Sequence, residues 1–265
     1  MTTNSYLTGL AKEAIIRDKE KESIQLSVST LEKRLVGYFA NEIADRYIFG
    51  SYSRGTILPR SMDSNSDIDY LVIFSDLSYK PQTYLDWLIR FVEKNYPNSE
   101  IYQSNPTIVL SLNHINFELV PAINYPLYGI QIPAKASAYQ NWLSTDPIGF
   151  NTKLINANKS HNNLIKPLVR IVKYWNSQNG YPYESFSLEQ DVVQHGFWTR
   201  WALGGQLKDY FFDFIENLEI GFFAPKWQQE AVSRAKQLVS DVKELEEDND
   251  LTEANIVLRE LFRDE

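Results

Sequence analysis

Two short groups of residues in this chain have types and spacing that could do chemistry together: Gly50-Ser51 and Asp67-Ile68-Asp69. Alternation along a strand places Asp67 and Asp69 on one face, with their Cα atoms about 7 Å apart. Paired carboxylates repel each other and resist burial, whereas hard divalent cations prefer oxygen ligands. A Gly-Ser turn lets the backbone and a hydroxyl approach phosphates closely. The spacing therefore predicts metal-assisted nucleotidyl transfer.

The elements that must position these groups are two strands joined by a polar segment. The apolar run 47–49 predicts the first strand, and residues 69–74 predict the second. The glycine turn and the polar residues between the strands predict a short helix followed by a loop.

A third carboxylate, Glu118, lies in the middle of a predicted strand at residues 115–120. A hairpin turn at residues 113–114 separates this strand from another at 107–112. We expect the Glu118 strand to pair antiparallel with the Asp67 strand, which would complete a three-carboxylate cluster. The alternative for these acids is a solvated strand end.

These residues resemble the signature of the DNA polymerase β-like nucleotidyltransferases, which is Gly-Ser, then Asp-x-Asp on the next strand, then a third carboxylate. Gly50-Ser51, Gly55-Thr56 and Ser66-Asp67-Ile68-Asp69 are similar to the bacterial cGAS/DncV-like enzymes (CD-NTase, SMODS). These are cyclic-oligonucleotide synthases of anti-phage (CBASS) signalling and relatives of oligoadenylate synthetase. The resemblance implies that Asp67, Asp69 and Glu118 are catalytic ligands of two Mg²⁺ or Mn²⁺ ions, and that Gly50 and Ser51 bind phosphates.

Further positions match the family in the second half of the chain. A basic stripe includes Arg170 and Lys173, and the resemblance implies that Lys173 reaches the triphosphate, with Arg170 as a further candidate. It also implies that Ser185 touches the triphosphate and that Phe186, where the family has tyrosine, stacks on the donor base. Asn163 could read a base edge, because an amide both donates and accepts hydrogen bonds. The structural alternatives are a solvated helix face, a helix cap and a core aromatic.

The predicted fold is α+β, with a polymerase β-like nucleotidyltransferase lobe and a helical lobe, as in oligoadenylate synthetase-like enzymes. We expect residues 1–150 to form the catalytic lobe, a mixed sheet with flanking helices that include the N-terminal ones, and residues 151–265 to form the helical nucleotide-binding lobe. Helices are predicted at residues 24–40 and 81–95. Residues 125–151 predict a loop-rich connector with a short helix near 137–143.

Composition narrows the class of partner. The chain lacks cysteine and has three histidines, which excludes disulfides and makes zinc binding unexpected. The net charge of −8 favours small nucleotides brought in with magnesium, and we do not expect stable nucleic-acid binding. No apolar run could span a membrane and no signal-peptide pattern is present, so we expect a cytoplasmic protein without membrane contact.

The function predicted from these features is the joining of nucleoside triphosphates into a cyclic di- or trinucleotide second messenger, with release of pyrophosphate. Cyclisation, and a separate effector protein that reads the product, are implied by the resemblance alone. One alternative is transfer of a nucleotide to a protein, a tRNA end or a small molecule such as an aminoglycoside. A degenerate nucleotide-binding module is the other, although the Gly-Ser pair and three carboxylates argue against decay.

Overall fold

The computed structural model describes residues 2–104, 106–134, 141–197 and 204–263. The chain divides into two compact units. Residues 16–152 form one, here called the sheet unit, and residues 1–15 with 153–265 form the other, the helical unit. The predicted division near residue 150 placed the N-terminal helices in the first lobe, whereas α1 (Thr3–Glu13) packs with helices of the second.

The sheet unit contains the strands and the helices that cover them. Its elements in chain order are α2 Asp18–Phe39, a 3₁₀ turn Ala40–Glu42, β1 Ile43–Ile48, α3 Gly50–Arg54, β2 Asp67–Phe74, α4 Pro81–Asn95, β3 Glu100–Ser104, β4 Thr107–Ser111, β5 Asn116–Tyr125, β6 Gly129–Pro133 and β7 Trp142–Ser144.

The described strands form one mixed sheet in the order β1-β2-β5-β4-β3, with β6 paired to β5 and β7 paired to β6. Strands β2 and β5 run parallel, and the other described pairs are antiparallel. The expected antiparallel pairing of β2 with β5 is wrong, because α4, β3 and β4 form a crossover that returns β5 in the direction of β2. The mixed sheet with flanking helices confirms the predicted α+β fold.

Alternation along β2 divides its side chains between two faces of the sheet. The even-numbered residues 68–74 are buried in the main core, together with apolar residues of α2 and α4. Leu71 and Ile73 point to the opposite face and join a smaller apolar cluster with β5. Asp67 and Asp69 continue this second face toward the start of β2, away from the helices that cover the core.

Helices α2 and α4 cover the core because their apolar residues recur at helical spacing. Pro81 occupies the first turn of α4, where its missing N–H loses no helical hydrogen bond, and the predicted helix 81–95 is confirmed. Helix α2 begins earlier than the predicted start at residue 24. Asp18 and Glu20 lie in its first turn, where acidic side chains favour the helix.

The helical unit is built from α1 and the helices that follow the sheet. These are α5 Pro147–Ser160, which begins in the sheet unit, then α6 Ile165–Gln178, α7 Ser185–Gln194, α8 Leu207–Glu216, α9 Lys226–Glu247 and α10 Leu251–Glu260. Helix α1 contacts α6, α8 and α10. Within the described residues, no helix has the length and apolar character needed to cross a membrane.

Residues 125–151 hold more regular structure than the predicted loop-rich connector, namely β6, β7 and the start of α5. Of the short helix predicted near 137–143, residues 137–140 lie outside the described part of the chain. Trp142 and Leu143 are in β7 rather than a helix, because they pair with Pro133 and Ile132 of β6.

Candidate active site

Gly50 begins α3 directly after β1 and lies against the carboxylate of Asp69. Its φ is +66°, and a Cβ built on it would lie 1.7 Å from Oδ2 of Asp69. The N–H of Phe49 donates to the Asp69 carbonyl at 3.0 Å, which holds the turn against β2. A side chain at position 50 is excluded both by this approach and by the left-handed backbone conformation. The structure thus brings two predicted site residues into contact.

The Gly55-Thr56 pair closes the turn behind Gly50 and Ser51. Gly55 has a φ of +70° and ends α3. The carbonyl of Ser51 accepts hydrogen bonds from the N–H groups of Thr56 at 3.0 Å and Ile57 at 3.2 Å. Thr56 is fully buried. These two motif residues therefore hold the Gly-Ser backbone in place.

The three predicted carboxylates lie on one face of β2 and β5. Asp69 is directly opposite Glu118 in the parallel register, and Asp67 is opposite Asn116. Directly opposed residues of neighbouring strands project from the same face, with the strands about 4.8 Å apart. All three carboxylates are half-buried. Parallel pairing therefore places Glu118 beside Asp69 just as the expected antiparallel pairing would have.

This face suits a hard divalent cation by its donor chemistry, because all three side chains offer ionisable carboxylate oxygens. The three do not converge into a compact metal site. Across the described ranges, no group of three or more His, Cys, Asp or Glu side chains could hold a metal ion. The carboxylate donors and their position on one face of the sheet thus fit a divalent cation. The number of ions stays a prediction.

Two residues on this face were missing from the predicted site. Asn116 is the β5 neighbour of Asp67, and its alternation with Glu118 is a signal that could have found it. Tyr47 lies opposite Leu71, and its buried hydroxyl has no hydrogen-bond partner among the described residues. Burial, followed by the charge of Asp45, raises the pKa of Tyr47 and keeps it neutral. Tyr47 was not predicted as a site residue because it lies in an apolar strand, where a tyrosine is usual.

The basic candidates of the helical unit are buried rather than solvated. Arg170 and Lys173 on α6 are each 8% exposed, so the solvated-face alternative does not hold for them. The Nε–H of Arg170 donates to the carbonyl of Ala11 at 3.3 Å, which connects α6 to α1. Burial lowers the pKa of the Arg170 guanidinium. Arg170 therefore has a structural role within this unit.

Ser185 and Phe186 open helix α7. Phe186 is 40% exposed, so it is not a core aromatic. Glu184 is the N-cap residue of α7, and its side chain makes no capping hydrogen bond, so the helix-cap alternative does not hold for Ser185. The Ser187 hydroxyl donates to the Glu184 carboxylate at 2.8 Å.

Asn163 lies between α5 and α6 with a φ of +63°, a conformation that asparagine tolerates better than most residues. Its side-chain oxygen accepts a hydrogen bond from Asn158 at 3.0 Å. The structure thus brings Gly50, Asp67, Asp69 and Glu118 together with Ser51 in the sheet unit. Asn163, Arg170, Lys173, Ser185 and Phe186 belong to the helical unit.

Residues 1–158 match a family described as the Second Messenger Oligonucleotide or Dinucleotide Synthetase domain, SMODS. This match covers more than half of the chain and all of the residues that form the carboxylate face. The chain belongs to the SMODS family. It is therefore an enzyme of the nucleotidyltransferase class, and the predicted resemblance is confirmed.

Known SMODS-like proteins share the fold along nearly the whole chain. A probable cyclic nucleotide synthase of Bacillus cereus is 23% identical over 263 residues, which cover 82% of this chain and 78% of the relative. E. coli CdnC with ATP superposes with a TM-score of 0.69 at 15% identity, covering 98% of this chain and 97% of its own. Vibrio cholerae DncV gives a TM-score of 0.74 at 9% identity, covering 99% and 95%.

Proposed function

We propose that this chain joins nucleoside triphosphates into a cyclic di- or trinucleotide second messenger and releases pyrophosphate. The observation that carries the proposal is the register of Asp69 with Glu118 beside Gly50, within the residues that match the SMODS family. The names of relatives support this product class. One relative is a probable cyclic nucleotide synthase. Another, from Acinetobacter, is a cyclic AMP-AMP-AMP synthase, and the match with this chain covers 39% of its length.

We assign Asp67, Asp69 and Glu118 to the binding of Mg²⁺ or Mn²⁺, with two ions expected. Carboxylates are the ligands that these cations prefer, and half-burial leaves each of the three accessible. When bound, the metal lowers the pKa of the attacking hydroxyl and neutralises charge on the triphosphate.

In each transfer step, a ribose hydroxyl oxygen forms a bond to the α-phosphorus while the bond from that phosphorus to the pyrophosphate oxygen breaks. The hydroxyl proton passes to a carboxylate of the face or to water. The backbone N–H groups of Gly50 and Ser51 would bind the phosphates, and Ser51 adds a hydroxyl donor. A later step of the same kind within one oligonucleotide closes the ring.

We assign the remaining contacts to the helical unit. Lys173 and Ser185 would bind the triphosphate, with Arg170 as a further cation and Asn163 as a reader of a base edge. The exposed ring of Phe186 supports stacking on the donor base, because a ring face must be accessible to stack.

The biological setting is part of the proposal. The substrates are nucleoside triphosphates, and a separate effector protein would read the product in an anti-phage (CBASS) response in the cytoplasm. Structures of related enzymes with ATP or GTP support the substrate class. A structure of an E. coli CdnC:HORMA-deltaN complex supports assembly with a partner protein.

A product assay tests the function directly. The purified chain is incubated with each labelled nucleoside triphosphate, singly and mixed, with Mg²⁺ or Mn²⁺. Products are treated with phosphatase and resolved by chromatography and mass. A phosphatase-resistant cyclic oligonucleotide, lost in Asp69→Asn and kept in the surface control Asp86→Asn, is the expected result. Consumption of triphosphate only after a protein, tRNA or small-molecule acceptor is added would support the alternative transferase.

A further inference from the structure

A cavity of about 770 Å³ lies at one end of β3, β4 and β5, with part of its lining on the sheet face that carries the carboxylates, and we call it the β3–β5 pocket. Its walls include Glu100, Ser111 and Asn116. Strand register identifies the face, because Glu100 is opposite Ser111, Ser111 is opposite Asn116, and Asn116 is opposite Asp67. Four side chains in one row across four strands project from the same side of the sheet. The pocket therefore continues the carboxylate face toward the sheet edge.

A second row of directly opposed residues runs beside the first. Tyr102 of β3 is opposite Val109, Val109 is opposite Glu118, and Glu118 is opposite Asp69. With strands about 4.8 Å apart, β4 is about 10 Å and β3 about 14 Å from β2. A nucleoside whose ribose hydroxyl lies at the carboxylates would place its base over β4 and β3. The distance from the carboxylates to the pocket is therefore one that a single nucleoside can span.

The lining of the β3–β5 pocket suits a base and ribose better than a triphosphate. Tyr102, which is 47% exposed, offers an aromatic face for stacking. Ser111 and Asn116 offer hydroxyl and amide groups. Arg60 is the one Lys or Arg residue among the described residues of this lining, and its guanidinium already donates to the Ser64 carbonyl at 2.9 Å.

Glu100 gives the pocket a preference among bases. An ionised carboxylate can only accept hydrogen bonds, and the exposed carboxylate of Glu100 has no hydrogen bond or ion pair in the described part of the chain. Guanine presents two adjacent N–H donors, which match a carboxylate in a bidentate pair. Adenine and cytosine each present one amino group. Uracil presents one N–H between two carbonyl oxygens, which a carboxylate repels.

We propose that the β3–β5 pocket binds the base of the acceptor nucleotide, with Tyr102 as its stacking platform and Glu100 as the residue that favours guanine over uracil. The inference rests on the proposed nucleotidyl transfer and adds to it the position and base preference of the acceptor.

An acceptor-only assay tests the inference. Each of the four bases is supplied in excess as an α,β-methylene triphosphate, which can accept a nucleotide but cannot donate one. Limiting α-labelled ATP is the donor, and the linear dinucleotide is quantified. The wild-type enzyme is expected to prefer guanine over uracil by about tenfold, the ratio that one charge-assisted hydrogen bond supplies. Glu100→Gln is expected to bring this ratio near one, because an amide can donate as well as accept.

The stacking role has its own variants. Tyr102→Ala is expected to raise the KM for the acceptor about tenfold with little change in kcat, and Tyr102→Phe to restore it, because stacking requires only the ring. Glu93→Gln and Tyr128→Ala are matched controls, since both residues are exposed in the same unit and neither lines the pocket. Thermal midpoints of all variants identify any loss of folding.

The outcomes separate this inference from the function on which it rests. If the wild-type chain forms no dinucleotide with any acceptor, the proposed transfer fails and the inference fails with it. If dinucleotides form, and a correctly folded Glu100→Gln enzyme keeps the wild-type base ratios, the transfer stands and the inference is overturned.

Discussion

A Cβ on Gly50 would lie 1.7 Å from Oδ2 of Asp69. The Asp69 carboxylate therefore occupies the space that a side chain at position 50 would need. The turn that would approach phosphates and the strand that would bind metal therefore cannot move independently. Any side chain at position 50 must displace the Asp69 carboxylate or the α3 backbone.

Gly50→Ala is expected to lower kcat/KM at least about 100-fold and the free energy of unfolding by about 1–3 kcal/mol, because the methyl group collides and the φ is positive. Gly50→Ala combined with Asp69→Ala should cost less stability than the sum of the single changes, since the second change removes the two closest contacts, at 1.7 and 2.4 Å, and leaves the one with Cβ of residue 69 at 2.8 Å. Urea unfolding of the four proteins measures this coupling. Gly37→Ala in α2 is the control, because a Cβ there meets no atom within 4 Å.

Asp69→Asn and Glu118→Gln are each expected to lower kcat by at least about 100-fold, with the double variant no worse than either, because both act in one metal site. Without metal, each should also raise the thermal midpoint, since two like charges in direct register repel each other. Turnover and melting in EDTA provide the two readouts. Full activity in Asp69→Asn would contradict the metal assignment.

Arg170→Met is expected to lower the free energy of unfolding by about 1–3 kcal/mol, because it removes the buried hydrogen bond to the Ala11 carbonyl. Lys173→Met is expected instead to raise the KM for the triphosphate, because it removes the ammonium group assigned to the phosphates. Chemical unfolding and triphosphate kinetics on both variants distinguish the roles. An unfolding curve for Arg170→Met that matches the wild type would refute its structural role.

The stability of the helical unit should fall as the pH drops below about 6.5. Burial lowers the pKa of His161, whose ring nitrogen lies 3.2 Å from the Tyr210 hydroxyl. The unfolded chain therefore binds a proton first as the pH falls, so this stability is present above 6.5 and is lost toward the lower pKa of the folded state. Thermal midpoints between pH 7.5 and 5.5 should fall less steeply for His161→Gln. Equal slopes would exclude His161 as the cause.

Local patterns in the sequence predicted most of the sheet unit. Alternation placed Asp67 and Asp69 on one face, and helical spacing located α4, because both depend on residues close in the chain. The direction of β5 could not be predicted, since a hairpin turn says how β5 pairs with β4 and nothing about β2. Pairing between distant strands depends on the crossover and on core packing.

The helical unit was harder to predict for the same reason. The spacing of basic residues on α6 was visible, but their burial was not, because Arg170 is covered by α1, which lies at the other end of the chain. Contacts between residues so far apart leave no periodic signal.

The packing of α1 with the later helices also sets the order in which the protein can assemble as it is synthesised. Residues 16–152 are contiguous, so the unit that carries Gly50 and the carboxylates can fold while the ribosome is still translating the remainder. Helix α1 is synthesised before this unit, yet α6, α8 and α10, which it contacts, are synthesised after it. Its apolar residues Tyr6, Leu7 and Leu10 therefore stay uncovered in the nascent chain until those later helices emerge, which makes them a target for a chaperone.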